Sequence, residues 1–192
     1  MAEFTEMLSK AKSGALTVRE LGVAVEAISE GRVKRGDLYT ALHVVGLAGS
    51  PTQAQVVRKY LHVPTDPMLS RLALQVLGDY WGMSSEVLPE LRSFLVGVDW
   101  DVDGDVRDIA IPIAGRHLRK IGGPAELAKI LMEIADDGNE LDLVREAALR
   151  ALAAGLGDSL LETSSPAVRV RIGSAQAVNV LARAGKRYAG SS

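Results

Sequence analysis

A short apolar segment led by a small residue recurs along the chain, and it constrains the fold more than any other feature. ALHVVG occupies 41–46, ALQVLG 73–78, AIPIAG 110–115, ALRALA 148–153 and SAQAVN 174–179. The leading residues Ala41, Ala73, Ala110, Ala148 and Ser174 stand 32, 37, 38 and 26 residues apart. That spacing fits helix-pair repeats with a truncated end. A unit of this size cannot bury its apolar face alone, so consecutive units must stack on one another.

A second amphipathic helix is expected before each of the first four segments. Thr17–Ser29 opens with Thr17-x-x-Glu20, a capping box, and sets Leu21, Val25 and Ile28 on one face. Pro51–Leu61 carries Ala54, Val57 and Leu61, and Ser85–Val98 carries Leu88, Leu91 and Leu95. Pro124–Ala135 carries Leu127, Ile130, Leu131 and Ile134. Gly31, Gly49-Ser50-Pro51, Gly82, Gly122-Gly123-Pro124 and Gly138-Asn139 mark joints. No useful run alternates in the manner of a strand. The expectation is an all-α chain: an N-terminal cap over 1–16, helix pairs near 17–48, 51–82, 85–122 and 124–157, and a C-terminal cap over 158–185. Within that last cap, Pro166–Ala184 reads as one long helix, and 186–192 should fray.

The 192 residues suit a single domain spanning the chain. Apolar residues make up 47% and aromatic ones only 4%, so Ala, Leu and Val must build the core, which favours closely packed helices. A net charge of −2 and a pI of about 5.9 argue against a nucleic-acid partner, which calls for a basic stripe. With no cysteine, disulfides, thiolate metal sites and thiol nucleophiles are excluded. The N-terminal dozen contains Glu3 and Glu6 and lacks the apolar run of a secretory signal. No stretch approaches the roughly 18 apolar residues of a membrane span. A cytoplasmic protein without membrane contact is expected.

Two repeats share a further signature: Val106-Arg107-Asp108-Ile109-Ala110 and Val144-Arg145-Glu146-Ala147-Ala148 both read V-R-x-x-A, and Val170-Arg171 repeats its first half. Leu38 and Ser70 occupy the arginine column in the first two repeats. The stretch from Leu88-Pro89-Glu90-Leu91 to Val106-Arg107-Asp108-Ile109-Ala110 resembles a HEAT repeat, with a proline in the first helix and aspartates before V-R in the second. The resemblance covers roughly 35–160. It implies a short right-handed α-solenoid of about five HEAT-like helix pairs, whose second helices line a concave face.

Residues that could carry chemistry are few. Asp99, Asp101, Asp103 and Asp105, with Gly104, match the first half of a calcium loop of EF-hand type. Its twelfth position is Ala110, where a bidentate carboxylate should stand. The favoured reading is an acidic loop capping the helix that starts near Asp105, so no metal is expected. Arg107, Arg145 and Arg171 fall at matching places, and the preferred reading pairs each with a loop aspartate rather than with a ligand. His43, His62 and His117 lie in separate repeats without ligand spacing. No nucleophile or phosphate-loop motif occurs, and neither catalytic residues nor a cofactor are assigned. Trp81 and Trp100 sit at joints and are expected to pack as satellite core.

The positions two before and two after each leading residue lie four apart on one helix face. The first column holds Tyr39, Arg71, Asp108, Glu146 and Ile172, the second His43, Gln75, Pro112, Arg150 and Gln176, with Asp79 and Arg116 one turn on. This polar stripe is the candidate protein-binding surface. The reading is a non-enzymatic scaffold: an adaptor, a complex subunit or a toxin-immunity protein, whose acidity suits a basic partner. The alternative is a HEAT-like enzyme or nucleic-acid reader, resembling DNA glycosylases or bilin lyases. In that case Arg71, Arg116, Arg119, Lys120 and Arg150 would supply positive charge, which Asp79, Asp108 and Glu146 offset.

Overall fold

The computed structural model describes residues 2–121, 125–158 and 170–188. Among these it contains ten α-helices and no strand. They are α1 (Ala2–Ser13), α2 (Val18–Ser29), α3 (Arg35–Ala48), α4 (Ala54–Arg58), α5 (Pro67–Gln75), α6 (Leu88–Val96), α7 (Asp105–Ile121), α8 (Ala125–Asp136), α9 (Asp142–Gly155) and α10 (Ala175–Tyr188). A 3₁₀ turn, Pro51–Gln53, precedes α4, and a π-helical turn, Val76–Tyr80, prolongs α5. None of the described helices is long and apolar enough to cross a membrane. The chain divides into two compact units, residues 1–87 with 99–106 and residues 88–98 with 107–192.

In the first unit the expected capping box is present. Glu20 N–H donates to Thr17 Oγ1 at 3.2 Å and Thr17 N–H donates to Glu20 Oε2 at 2.8 Å, which satisfies two otherwise orphaned donors. Lys10 of α1 reaches the same carboxylate at 2.8 Å. Lys10 and the Thr17 donors together hold the Glu20 carboxyl down at about 2. The core behind these helices includes Ala24, Ile28, Ala41, Leu42, Val45, Val57, Leu72, Ala73 and Leu77, all buried. The helix expected over 51–61 is shorter. Ser50 N–H donates to the Gln53 side chain at 2.8 Å, tightening the start into a 3₁₀ turn, and α4 ends at Arg58.

The second unit buries Leu91, Phe94 and Leu95 of α6, Ala110, Ile111, Ala114 and Leu118 of α7, Leu127 and Leu131 of α8, and Ala148, Leu149 and Leu152 of α9. The closing helix differs from expectation. Residues 170–174 are not helical. Gly173 adopts φ +73°, a left-handed conformation that interrupts a helix, and Ser174 Oγ accepts from Ala177 N–H at 3.1 Å. Ser174 is therefore the N-cap of α10, not a buried leading residue like Ala41, Ala73, Ala110 and Ala148. The start of that expected helix, Pro166, lies outside the described residues, as do Gly122-Gly123-Pro124. At its far end α10 is pinned by Tyr188, whose hydroxyl donates to Gly155 O at 3.3 Å.

Candidate binding faces

α3 meets the end of α5 in the first unit and α7 meets α9 in the second, in the same register. In the first, a Cβ placed on Gly46 would overlap Val76 Cγ2. In the second, a Cβ on Gly115 would lie 2.6 Å from the Ala151 carbonyl oxygen and 2.7 Å from its Cα. Gly46 and Gly115 are the sixth residues of their segments, and Val76 and Ala151 the fourth residues of theirs. The leading alanines Ala41, Ala73, Ala110 and Ala148 are all fully buried. With that edge of each helix turned inward, the columns two residues to either side flank the contact rather than fill it.

In the first unit the columns comprise Tyr39 and His43 from α3, Arg71 and Gln75 from α5, and Asp79 from the π turn, all half-buried. Tyr39 meets His43 edge-on with ring centroids 6.1 Å apart, and His43 lies nearly parallel to Tyr80 at 6.5 Å. Burial, aided by the charge of Lys12, lowers the His43 pKa, which favours neutral imidazole with one donor and one acceptor. Burial raises the Tyr80 hydroxyl pKa; Tyr39 and Asp79 push it the same way and Arg71 opposes them. Tyr80 is absent from the sequence-derived stripe. An α-helix stacks residues four apart, but a π turn stacks residues five apart, so Tyr80 joins Asp79 beyond Gln75. Nothing in the local sequence announces that extra residue.

The same turn settles Trp81. Gly46 is in the last turn of α3, where carbonyls lack a helical donor, and Trp81 Nε1 donates to Gly46 O at 3.2 Å. Trp81 and Trp100 are both half-buried, so each sits at the margin of the core.

In the second unit the columns comprise Asp108 and Arg116, exposed on α7, and Glu146 and Arg150, half-buried on α9. Pro112 stands inside α7 and has no N–H to offer the Asp108 carbonyl. Arg150 Nε is buried without a hydrogen-bond partner. Both units thus mix charge signs across their columns. No family model, curated protein or solved structure matches this chain.

Arg107 and Arg145 act as helix locks. Arg107 Nε donates to Leu95 O at 2.9 Å, and Arg145 Nε donates to Ala135 O at 3.2 Å. Leu95 and Ala135 are the penultimate residues of α6 and α8, so each guanidinium satisfies a terminal carbonyl and sits at the negative end of a helix dipole. Arg107 also pairs with Glu140 at 2.9 Å and Arg145 with Asp142 at 3.4 Å. The first of these acids is a glutamate of the following inter-helix loop, not the aspartate expected. Arg171 is exposed. In the second repeat Ser70, in the arginine column, is buried and accepts from Val63 N–H at 2.9 Å.

Within the acidic loop, Asp101 accepts from Val106 N–H at 3.0 and 3.2 Å through its two oxygens. It caps the first turn of α7 as a carboxylate at a helix N-terminus should. Among the described residues no three His, Asp or Glu side chains are gathered to hold a metal ion. That includes Asp99, Asp101, Asp103 and Asp105.

Proposed function

We propose that the chain is a non-enzymatic protein-binding scaffold of HEAT-like helix pairs. Its second helices present the stripe of Tyr39, His43, Arg71, Gln75 and Asp79 in one unit and Asp108, Arg116, Glu146 and Arg150 in the other. The observation that carries this reading is the repeated register: a fully buried alanine and a glycine pressed against the next second helix recur in both units. Such stacking uses the inward edge of each second helix for the fold and leaves the neighbouring columns free to vary. Tyr80, stacked on His43, extends the first set with aromatic surface, the residue class that anchors protein interfaces. Adaptor, complex subunit and toxin-immunity protein are all compatible roles.

The test is capture from cells that make the protein, with cross-linking to place the contact. Cross-links concentrated on α3, α5, α7 and α9 are expected. Reversing Arg71, Asp108 and Arg150 (R71E, D108R, R150E) should abolish capture while the helical circular dichroism is unchanged. Retained capture by the triple variant would move the interface elsewhere.

A further inference from the structure

Leu141 occupies a position that suits neither packing nor capping. It is the N-cap of α9, where its carbonyl accepts from Val144 N–H at 2.9 Å and Arg145 N–H at 3.1 Å, yet its side chain makes no capping bond. Leucine is among the poorest N-cap residues, and Ser or Asp there stabilises a helix. Its side chain is 73% exposed, and that of Leu143, two residues on, is 66% exposed. Two leucines therefore stand in water at a helix start that a polar residue would improve. The equivalent start of α7 has the cap, supplied by Asp101.

The surroundings are acidic. Asp136, Asp137, Glu140 and Asp142 lie within seven residues that contain no lysine or arginine. Arg107 and Arg145 offset two of these charges through Glu140 and Asp142. Asp137 is turned to its own loop, accepting from Asn139 N–H and Nδ2 at 2.9 and 3.0 Å. The loop between α6 and α7 has a similar make-up: Val102 is 87% exposed, among Asp99, Asp101 and Asp103. An aliphatic tip within an acidic rim thus recurs in the loops before α7 and α9.

We propose that the lip formed by Leu141 and Leu143 is a docking surface for a basic amphipathic helical segment of a protein partner. The partner's apolar face would cover the two leucines, and its lysines or arginines would meet Asp136 and Asp137, the two acids of the cluster that neither Arg107 nor Arg145 offsets. An acidic or uncharged apolar segment would bury the same leucines while leaving those carboxylates uncompensated or repelled, so charge selects the basic occupant. This surface adjoins the α9 column, since Asp142 and Leu143 lie one turn before Glu146, but its test substitutes no column residue and can fail without the columns failing.

The test uses the full chain and two synthetic 14-residue probes, one of leucine and lysine in helical alternation and one with serine replacing leucine. Binding is followed by fluorescence anisotropy and by amide shifts in NMR. The leucine–lysine probe should perturb amides centred on 137–146 and weaken with salt. It should lose on the order of tenfold in affinity for each of L141S and L143S, as central apolar anchors do. The serine–lysine probe should bind at least about tenfold more weakly. L141S should unfold at a higher temperature than the parent, because serine caps α9, so its loss of binding cannot come from lost structure. Equal affinity of the two probes, unchanged affinity of the L141S/L143S variant, or shifts centred elsewhere would overturn the proposal. So would concentration-dependent self-association of the unliganded protein that L143S abolishes, since a second copy would then be the occupant.

Discussion

Replacing Gly115 with alanine should destabilise the second unit by about 2 kcal/mol, although Ala is the better helix former by about 1 kcal/mol. The new Cβ would lie 2.6 Å from Ala151 O, 2.7 Å from its Cα and 2.9 Å from its Cβ. Restoring ordinary contact near 3.5 Å requires α7 and α9 to part by about 0.8–0.9 Å, a gap that forfeits a quarter to a half of each dispersion contact along the seam. The seam also includes Leu118, whose Cβ would be 3.0 Å from a Cβ on Gly155, so separation is felt over at least one further turn. Overpacking costs about 1–3 kcal/mol, and the upper end applies because the obstacle is backbone. Subtracting the gain in propensity leaves about 2 kcal/mol. In urea unfolding followed by far-UV circular dichroism, with a slope of about 2 kcal/mol/M, the midpoint should fall by about 1 M. Gly46→Ala should also destabilise, but V76A should relieve it, with a coupling of about 1 kcal/mol, because the obstacle there is a side-chain methyl. Ala151→Gly should not rescue Gly115→Ala, since the Ala151 oxygen and Cα remain. A Gly115→Ala protein as stable as the parent, or more so, would refute the stacking register and the placement of both columns with it.

Arg107→Met should cost about 1–2 kcal/mol, the worth of a charge-assisted bond to Leu95 O, read as a lower thermal midpoint. Arg107→Lys should recover little, because an ammonium cannot serve Leu95 and Glu140 with one rigid fork. Trp81→Phe should cost about 1 kcal/mol by stripping the Gly46 carbonyl of its donor, measurable in the same melts. Burial lowers the pKa of both His43 and His117, so the unfolded chain binds protons first as pH falls. Stability should be level above the ordinary histidine value of about 6.5 and decline below it. Urea midpoints between pH 7.5 and 5 report this, and a midpoint that rose on acidification would contradict the sign.

The helices, the capping box at Thr17 and Glu20, the buried alanines and the joints were legible because each is written in neighbours three or four residues apart. A spacing of 3.6 residues per turn carries that information without reference to the rest of the molecule. The α10 boundary was legible in part: Gly173-Ser174 is a break followed by a cap, but the likeness of SAQAVN to the other segments outweighed it. The candidate columns were found by the same periodicity, and Tyr80 was missed where the periodicity changes to five.

Sequence alone determined that this chain is helical, and which edge of α3, α5, α7 and α9 carries the buried alanine. Those properties follow from local backbone geometry and from the removal of apolar side chains from water, both of which act at short range along the chain. The tertiary structure decided what the local code leaves open. It gave Arg107 and Arg145 helix-terminal carbonyls 12 and 10 residues away, brought Gly46 and Gly115 against residues 30 and 36 positions on, and bent the end of α5 into a π turn under Trp81. Each is a contact between distant segments, satisfied only when whole helices are docked, and hydrogen-bond partners and interaxial distances come into being at that step.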